Sequence, residues 1–346
     1  MRLSSFDYEL PEAQIAQAPL ADRSSARLLV GSDPVRHRRV TDLPELLGPG
    51  DVIVVNNTRV LPARLRLHKS TGGAVEVFLL SPVDGTHWEA LVRPSRRVAD
   101  GTLLFDDDDV ARVQVVGDRG EGRRVVAPAP QSGSVDADVV SLLDHAMAQG
   151  EVPLPPYIET TLDDPDRYQT VYADRVGSVA APTAGLHFTD ALLDECRAVG
   201  AEIHSVELQV GIGTFRPIVV DDVSEHTMHA ERYVVPDATW DACAVANRVI
   251  AVGTTSVRAL ETAAATGERT GSSELFISPG FDWQVVDALL TNFHLPKSSL
   301  LVMLAAFCGE RWRDLYTSAL AEGYRFLSFG DAMFVERAVD AEKGER

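Results

Sequence analysis

The chain has 346 residues, of which 45% are hydrophobic, and its 51 acidic and 32 basic side chains give a formal net charge of −19. This length is enough for two domains. Without a run of about 18 apolar residues or an N-terminal apolar signal core, the sequence argues against a membrane span or export and predicts a cytoplasmic protein. Three scattered cysteines predict reduced, buried thiols rather than a disulfide framework or a zinc knuckle.

Basic side chains cluster in two segments despite the acidic total. Residues 59–97 carry seven Lys/Arg and three acidic side chains, and residues 23–39 carry five arginines and one aspartate, so each segment has a net charge of +4. An acidic protein repels nucleic acid at long range, but a local basic patch can still bind phosphates. Ordinary scatter of surface charge would also account for these clusters.

The first predicted element is a buried strand at 51–57, a β-branched run that follows a Gly-Pro-Gly turn and ends in Asn-Asn-Thr. Between 61 and 126, short apolar runs alternate with turn signals such as Thr-Gly-Gly and Asp-Gly. This spacing is typical of a small antiparallel barrel or sandwich.

A helix is predicted at 139–149, and the proline-rich segment 152–158 that follows it reads as an extended linker. Beyond the linker, apolar strands and helices alternate. The predicted strands are 202–210, 248–253 and 285–291, and the predicted helices are 192–199, 256–265 and 298–307. Such alternation indicates a layered α/β domain, which we predict to comprise 1–60 and 155–346, interrupted by an inserted small antiparallel β-barrel domain at 61–154.

The segment 177–188, GSVAAPTAGLHF, is made of small and apolar residues and ends in a histidine, His187. Small residues let the backbone approach a ligand closely, and a histidine at the end of such a loop can move protons near neutral pH. The alternative is a tight core loop with a buried, hydrogen-bonded histidine.

Residues 250–258, IAVGTTSVR, read as a buried strand, a glycine, a hydroxyl cluster and the start of a helix. The free N–H groups and positive dipole end of a helix N-terminus favour an anion such as a phosphate or a carboxylate. Thr255 or Ser256 would equally serve as a simple N-cap. The pattern is neither a Walker loop nor a dinucleotide fingerprint, so it does not predict nucleotide binding.

Two histidines, His226 and His229, lie three residues apart, with Glu231 close behind. On a helix this spacing would place both rings on one face. Because no third ligand with metal spacing lies nearby, a hydrogen-bonded polar cluster is favoured over a zinc site, and no metal is predicted.

Two further groups of polar residues lie at predicted strand ends. Asn292 and His294 follow an apolar strand, at the position where ligands bind in open α/β sheets, although structural capping is the alternative. Asp331 follows an aromatic run at 326–329 that we read as a strand. These residues are candidates for substrate contacts.

Taken together, these segments resemble one family, the S-adenosylmethionine:tRNA ribosyltransferase-isomerases of queuosine synthesis. The resemblance covers nearly the whole chain. Its motifs, besides the 177–188 segment, are FDYELP at 6–11, VNNTRV at 55–60, PLPPYI at 153–158, YQTVY at 168–172, GTTSVR at 253–258, TNFHLP at 291–296 and GDAM at 330–333. The family plan, an α/β domain interrupted by a small β-barrel, agrees with the predicted architecture.

The resemblance implies an enzyme that uses S-adenosylmethionine as a ribosyl donor and co-substrate, with no prosthetic group and no metal. The implied acceptor is the aminomethyl group of 7-aminomethyl-7-deazaguanine at the tRNA wobble position. Adenine and methionine leave, and the product is epoxyqueuosine-tRNA. The sulfonium acidifies the neighbouring C5′ hydrogens, so the chemistry requires acid–base groups in a dry, shaped pocket. We expect tRNA, through its anticodon arm, as partner, no membrane association and a monomer.

The resemblance also suggests roles for the candidate residues. His187 is the first candidate base, followed by His229 and His294. The expected substrate-binding residues are Thr183 and Gly185 for the adenosine or aminomethyl group, Thr254, Thr255, Ser256 and Arg258 for the methionine carboxylate or a tRNA phosphate, Asn292 and Asp331 for sugar hydroxyls or the deazaguanine, and Glu231. The expected contacts with the anticodon arm are Arg59, Arg93, Arg96 and Arg97.

The chain departs from the expected family pattern in places. Gln209 stands where a histidine is expected, Ser278 where an aromatic residue is expected, and the stretch 233–248 is shorter than expected. Two alternative functions therefore stay open. One is an enzyme of the same fold that uses S-adenosylmethionine on a small-molecule amine, and the other is a non-catalytic RNA-binding homologue.

Overall fold

The computed structural model describes residues 1–130, 141–211 and 218–338. They form two compact units. The first unit comprises Met1–Arg59, Pro155–Arg175 and Ala181–Arg346, and the second comprises Val60–Leu154 and Val176–Ala180. The predicted boundaries differ from these mainly at Val176–Ala180, which the prediction assigns to the α/β domain.

The strands, in chain order, are β1 (Arg27–Val30), β2 (Arg36–Arg39), β3 (Asp51–Asn56), β4 (Thr58–Val60), β5 (Arg64–Lys69), β6 (Ala74–Pro82), β7 (Trp88–Arg93), β8 (Leu103–Phe105), β9 (Ala111–Gly120), β10 (Arg123–Pro128), β11 (Arg175–Ser178), β12 (Glu202–Leu208), β13 (Glu231–Val234), β14 (Arg248–Val252), β15 (Thr270–Ser273), β16 (Ala288–Asn292) and β17 (Ala332–Glu336). The α-helices are α1 (Leu142–Gln149), α2 (Asp190–Ala198), α3 (Asp237–Val245), α4 (Gly253–Thr266), α5 (Ser299–Cys308) and α6 (Arg311–Ala321). Short 3₁₀ helices cover Leu3–Phe6, Glu12–Gln14, Arg23–Ser25, Val40–Leu46, Ser95–Arg97, Pro165–Tyr168, Thr183–His187 and Val223–Glu225.

The first unit is built on a nine-stranded mixed sheet in the order β15-β13-β12-β3-β14-β16-β17-β1-β2. Its centre is parallel, because β3 pairs with both β12 and β14, and β14 pairs with β16. All residues of β3 and β16 are buried, as expected for strands covered on both faces. The carboxyl ends of β3, β14 and β16 therefore meet at one edge of the sheet, where such folds bind ligands.

The second unit is a closed six-stranded barrel in the order β10-β7-β6-β5-β8-β9, with antiparallel pairing throughout. Alternate side chains of its strands, such as Val75, Val77 and Leu79, form a buried core. Together with the mixed sheet and its helices, this barrel confirms the predicted fold class. In the part of the chain that the structure describes, no helix is long and apolar enough to cross a membrane.

Several predicted elements have different bounds. Helix α4 begins at Gly253, so the hydroxyl cluster lies inside its first turn and not before it. The aromatic run at 326–329 is not a strand but a turn in which Leu327 has a φ of 69°. Asp331 therefore precedes a strand, β17, which runs antiparallel to β16. Of the helix predicted at 139–149, residues 139 and 140 lie outside the described residues.

Candidate active site

His187 is held at the end of the 3₁₀ helix Thr183–His187, and only 4% of it is exposed. This tight turn depends on Gly185. A Cβ atom on Gly185 would lie 2.0 Å from the hydroxyl oxygen of Tyr172 and 2.9 Å from the Thr170 methyl carbon. The small residues of this segment therefore allow close packing against Tyr172, as the sequence suggests for a backbone that approaches its neighbours closely.

A chain of hydrogen bonds joins this turn to the end of β16. The Thr183 hydroxyl donates to Asn292 Oδ1 at 2.9 Å, and Asn292 Nδ2 lies 3.2 Å from His187 Nε2 and 3.3 Å from the carbonyl oxygen of Asp331. Since the amide nitrogen can only donate, His187 Nε2 is its acceptor and carries no proton. Three predicted site residues, Thr183, Asn292 and His187, thus form one connected unit.

The environment of His187 favours the neutral ring. The pKa of the ring is lowered to about 4, chiefly by burial and also by the nearby charges of Arg325 and Arg23. A hydrogen bond to the Arg23 backbone acts in the opposite direction, because it favours the protonated form. At neutral pH the imidazole is therefore an uncharged base that can accept a proton. Its Nε2 lone pair is occupied by the Asn292 amide in this arrangement.

His187 lines an open cleft of about 310 Å³ empty volume, which we call the histidine cleft. The residues that line it are Pro19, Leu20, Arg23, Ala26, Arg167, Leu186, His187, Ser328, Phe329 and Gly330. Two arginines are thus close neighbours of the candidate base. Neither Arg23 nor Arg167 is a predicted site residue, since nothing in the local sequence pattern indicates that they face a histidine far along the chain.

A second cleft lies at the start of α4, and we call it the helix cleft. It has about 380 Å³ of empty volume and is lined by Met228, Thr254, Thr255, Arg258, Leu275, Phe276, Ile277, Ser299, Leu300 and Met303. Thr255 Oγ1 is buried and has no hydrogen-bond partner among the described residues. Ser256, by contrast, donates its hydroxyl to the Val252 carbonyl at 2.8 Å and does not line the cleft.

The first turn of α4 has no side-chain cap, because its N-cap residue is Val252. Gly253 has a φ of +82°, which favours glycine, and a Cβ atom there would lie 3.5 Å from the Ala184 side chain. The start of α4 therefore packs on the same 3₁₀ helix that carries His187. The N-cap role considered for Thr255 and Ser256 is wrong, since both lie within the helix.

Arg258 forms a buried ion pair with Glu231, in which the side chains are 4% and 3% exposed. The guanidinium also donates to the carbonyls of Leu275 and Ser273, and the Glu231 carboxylate accepts the Gly211 N–H at 2.8 Å. Internal groups thus compensate the Arg258 charge, and the helix cleft presents no free cation at this residue. The two predicted substrate-binding residues thus contact each other, a pairing that their separation in the sequence does not indicate.

His294 and Asp331 are held tightly by internal contacts. His294 Nε2 lies 3.1 Å from the Thr291 hydroxyl, and burial lowers the pKa of the ring to about 3. The two carboxylate oxygens of Asp331 accept the backbone N–H groups of Arg27 and Arg325 at 2.9 and 2.8 Å. Asp331 therefore fixes the turn before β17, and its own carbonyl oxygen accepts a hydrogen bond from the Asn292 amide.

His226 and His229 lie in a segment without regular structure between Val223–Glu225 and β13, not on a helix. The His226 ring packs edge-on against Phe276, which lines the helix cleft, whereas His229 is exposed. Among the described residues, no group of three His, Cys, Asp or Glu side chains could hold a metal ion.

Two of the three departures from the family pattern, Gln209 and Ser278, are single residues of the first unit. Gln209 follows β12, where its backbone N–H donates to the Arg232 carbonyl at 2.9 Å. Ser278 comes directly after Ile277 and Phe276, both of which line the helix cleft. Phe276, which is not among the predicted site residues, therefore supplies an aromatic ring to this cleft two residues before Ser278.

The four predicted tRNA-binding arginines fall in both units. Arg93, Arg96 and Arg97 are exposed at the corner of the barrel that follows β7, and among the described residues no acidic side chain forms an ion pair with them. Arg59 belongs to the first unit, where its guanidinium lies 3.5 Å from Asp166. Only three of the four thus share one surface of the barrel unit.

Comparisons with known proteins agree on one family. The profile of the family described as queuosine biosynthesis protein matches residues 3–335. An S-adenosylmethionine:tRNA ribosyltransferase-isomerase of Moorella thermoacetica is 49% identical over 97% of this chain and 100% of its own length, and one of Rubrobacter xylanophilus is 48% identical over 97% and 98%.

A solved structure is similar as well. The crystal structure of an S-adenosylmethionine tRNA ribosyltransferase from Thermotoga maritima is 34% identical, covers 96% of this chain and 100% of its own, and has a TM-score of 0.53. The family profile alone spans more than nine-tenths of the sequence, and the motifs named above fall within it. The chain therefore belongs to the queuosine biosynthesis protein family.

Proposed function

We propose that this protein is an S-adenosylmethionine:tRNA ribosyltransferase-isomerase. It transfers and isomerises the ribosyl moiety of S-adenosylmethionine onto 7-aminomethyl-7-deazaguanine at the tRNA wobble position, and it releases adenine and methionine. The observation that carries this proposal is the 49% identity to a relative of that name over nearly the whole length of both chains. The neutral, cleft-lining His187 suits a reaction that begins with proton removal beside a sulfonium.

In this proposal His187 is the base that removes the C5′ proton. Its lowered pKa keeps the ring unprotonated at neutral pH, and the Asn292 amide fixes its orientation. Before His187 can remove a proton, the Asn292 amide must break its hydrogen bond to Nε2. The freed amide nitrogen is then available to donate to a sugar hydroxyl of the substrate. Thr183 holds the other end of the amide throughout. His294 and His229 are reserve candidates, of which His294 is the more buried.

We assign the methionine end of S-adenosylmethionine to the helix cleft, from which its C5′ group extends toward His187, because the start of α4 packs on the 3₁₀ helix that carries this residue. At neutral pH this molecule carries a sulfonium, an ammonium and one carboxylate, so its net charge is positive. The cleft suits such a ligand because Glu231 neutralises Arg258, while Met228, Phe276 and Met303 offer soft, polarisable surface. The uncapped N–H groups of α4 and the unpaired Thr255 hydroxyl would receive the carboxylate, with Thr254 beside them.

We further propose that the exposed barrel arginines Arg93, Arg96 and Arg97 contact the anticodon arm of the tRNA. They are three cations on one corner of a chain whose total charge is −19, and a local cluster of this kind can bind phosphates despite long-range repulsion. The proposal places the protein in the cytoplasm, with its tRNA substrate, as a monomer. Sedimentation of the purified chain with and without tRNA tests the monomer.

The direct test is incubation with S-adenosylmethionine and a tRNA that carries the aminomethyl-deazaguanine base. Adenine, methionine and the modified nucleoside are followed by mass spectrometry, and the free base replaces the tRNA in a parallel reaction. The proposal requires stoichiometric adenine release and an epoxycyclopentanediol adduct on the tRNA. Transfer to the free base alone would favour a small-molecule acceptor, and tRNA binding without adenine release would favour a non-catalytic homologue.

A further inference from the structure

The walls of the histidine cleft hold an excess of positive charge. Arg23 and Arg167 line the cleft, and Arg325 is close enough to His187 for its charge to lower the pKa of the imidazole. Among the residues that the structure describes, none of the three guanidiniums forms an ion pair with a carboxylate. This clustering is unusual in a protein with 19 more acidic than basic side chains.

Neutral backbone carbonyls hold all three arginines in place. Arg23 donates to the carbonyls of Gln169 and Asp166 at 2.7 and 3.1 Å, Arg167 donates to those of Ala21 and Leu20, and Arg325 donates to that of Ala18. Carbonyl dipoles orient a guanidinium without cancelling its charge. Two donors, Arg167 Nε and Arg325 Nη1, are buried and have no partner among the described residues.

The acidic residues nearby do not neutralise this cluster. Asp164 and Asp166 act on Arg23 from exposed positions, and Asp166 is shared with Arg59. Burial lowers the pKa of Arg23 and the charge of the neighbouring Arg167 lowers it further, against Asp164 and Asp166, which raise it. Guanidiniums that neutral carbonyls hold in place, and that form no ion pair with a carboxylate among the described residues, suit an oxyanion.

We propose that Arg23, Arg167 and Arg325 form a site for a tRNA phosphodiester next to the nucleotide that reacts at His187. The inference rests on the proposed function, because it takes tRNA as the substrate. S-adenosylmethionine also carries an oxyanion, its carboxylate, but three guanidiniums would repel the ammonium on the same carbon, and the helix cleft takes this end of the molecule. A phosphodiester has no such cationic groups. The carboxylate of S-adenosylmethionine and the phosphodiester of the tRNA are thus assigned to different clefts, with the phosphodiester beside the arginines.

The site has a defined role in positioning. Phosphate contacts fix the register of a nucleic acid without reading its sequence, and single-stranded loops present their bases outward for recognition. A phosphate held on the wall that also carries His187 would place the adjacent wobble nucleotide at the base. We therefore regard the three arginines as positioning residues and not as catalytic ones.

The test compares Arg167→Gln with a matched control, Arg197→Gln, which removes one positive charge from an exposed ion pair with Asp194 on α2. Binding of an anticodon stem-loop RNA is measured by fluorescence anisotropy over a series of KCl concentrations. We expect Arg167→Gln to weaken binding about 10-fold and to lower the salt slope by about 0.7 for one lost phosphate contact. Arg197→Gln should change neither quantity, and equal effects of the two variants would overturn the proposal.

Single methylphosphonate substitutions in the stem-loop identify the phosphate. Neutralising one phosphate beside the wobble nucleotide should weaken binding to the wild type but not further weaken binding to Arg167→Gln. If every substitution affects both proteins equally, the proposal fails. Arg23→Gln serves as a second variant should Arg167→Gln not fold, as judged by its thermal unfolding midpoint, because Arg23 lines the same cleft.

Calorimetric titration with S-adenosylmethionine alone tests whether the arginines bind its carboxylate and not a tRNA phosphate. We expect its affinity for Arg167→Gln to equal that for the wild type. Lost affinity for S-adenosylmethionine, with an unchanged RNA salt slope, would assign the arginines to the methionine carboxylate and overturn the proposal. Adenine release by the wild type is scored separately, so a protein that binds RNA through Arg167 but releases no adenine would refute only the proposed function.

Discussion

The side-chain nitrogen of Asn292 lies 3.2 Å from Nε2 of His187 and so joins the end of strand β16 to the turn that follows Thr183. The two residues are 105 positions apart in the sequence. Since Thr183 orients the amide from its other side, the tautomer of His187 is set by two neutral groups and no carboxylate. The base is therefore held in place without being made more basic.

This relationship predicts different effects for two substitutions at Asn292. Asn292→Asp places a negative charge beside the ring and should raise the pKa of His187 from about 4 toward its ordinary value, because an adjacent anion favours imidazolium. Asn292→Ala should leave that pKa low but lower the rate of adenine release by about 10- to 100-fold through lost orientation. NMR titration of the His187 ring and single-turnover kinetics measure the two quantities. A His187 pKa that is identical in Asn292→Asp and wild type would contradict the first expectation.

His187→Ala tests the base itself. If His187 removes the C5′ proton, its loss should lower the single-turnover rate of adenine release by about 10²- to 10⁴-fold. Affinity for S-adenosylmethionine should change little, because His187 does not line the helix cleft that holds the methionine end. The matched control is His204→Ala, at a partly exposed position whose ring lies 3.0 Å from Glu202. Unchanged adenine release by His187→Ala would remove its catalytic role.

Some of this arrangement could be predicted from sequence and some could not. Local patterns indicated strands β3 and β14 and the helices after β14 and β16, because hydrophobic periodicity and glycine positions are local signals. The Arg258–Glu231 pair joins positions 27 residues apart, and the histidine cleft brings Arg23 beside His187. Such contacts depend on the order of strands in the sheet, which cannot be read from local residue spacing. An aromatic run like 326–329 also has the same sequence pattern whether it forms a strand or a buried turn.

Gly185 predicts a steric experiment. A Cβ atom there would overlap the Tyr172 hydroxyl at 2.0 Å, so Gly185→Ala should destabilise the protein by about 1–3 kcal/mol. Tyr172→Phe removes that oxygen, which has no partner among the described residues, and should by itself cost little. The double variant should regain part of the loss, since the ring carbon would still lie 3.0 Å away. Urea unfolding of the four proteins measures the coupling, and strictly additive effects would contradict the contact.

Acid stability should reflect the buried histidines. The pKa values of His187 and His294 are lowered by burial to about 4 and about 3, whereas an unfolded histidine titrates near 6.5. The unfolded chain therefore binds more protons in this range, so the stability from each neutral ring is complete above pH ~6.5 and is lost as the pH falls toward those values.

Between pH ~7.5 and pH ~5, each histidine should lower the free energy of unfolding by about 2 kcal/mol. His294→Gln cannot titrate, so its stability should fall less on acidification than that of the wild type. Urea unfolding at both pH values gives this difference directly. The control is His229→Gln at an exposed position, which should keep the wild-type dependence. An equal pH dependence of the unfolding free energy in all three proteins would contradict this expectation, because it would mean that folded and unfolded His294 bind a proton equally well.

The barrel arginines give the last prediction. Replacing both Arg96 and Arg97 with Glu should weaken binding of full-length tRNA and flatten its salt dependence. Binding releases fewer counterions when fewer phosphates contact the protein. Arg66→Glu is a control on the same barrel, since Arg66 already pairs with Glu151 at 2.6 Å and so offers less free charge. The binding constants are measured over a range of KCl concentrations, with the isolated anticodon stem-loop alongside the full tRNA. If the charge reversal weakens binding of both RNAs in parallel, the barrel arginines contact the anticodon arm as proposed. If it weakens binding of full-length tRNA alone, they contact another part of the tRNA.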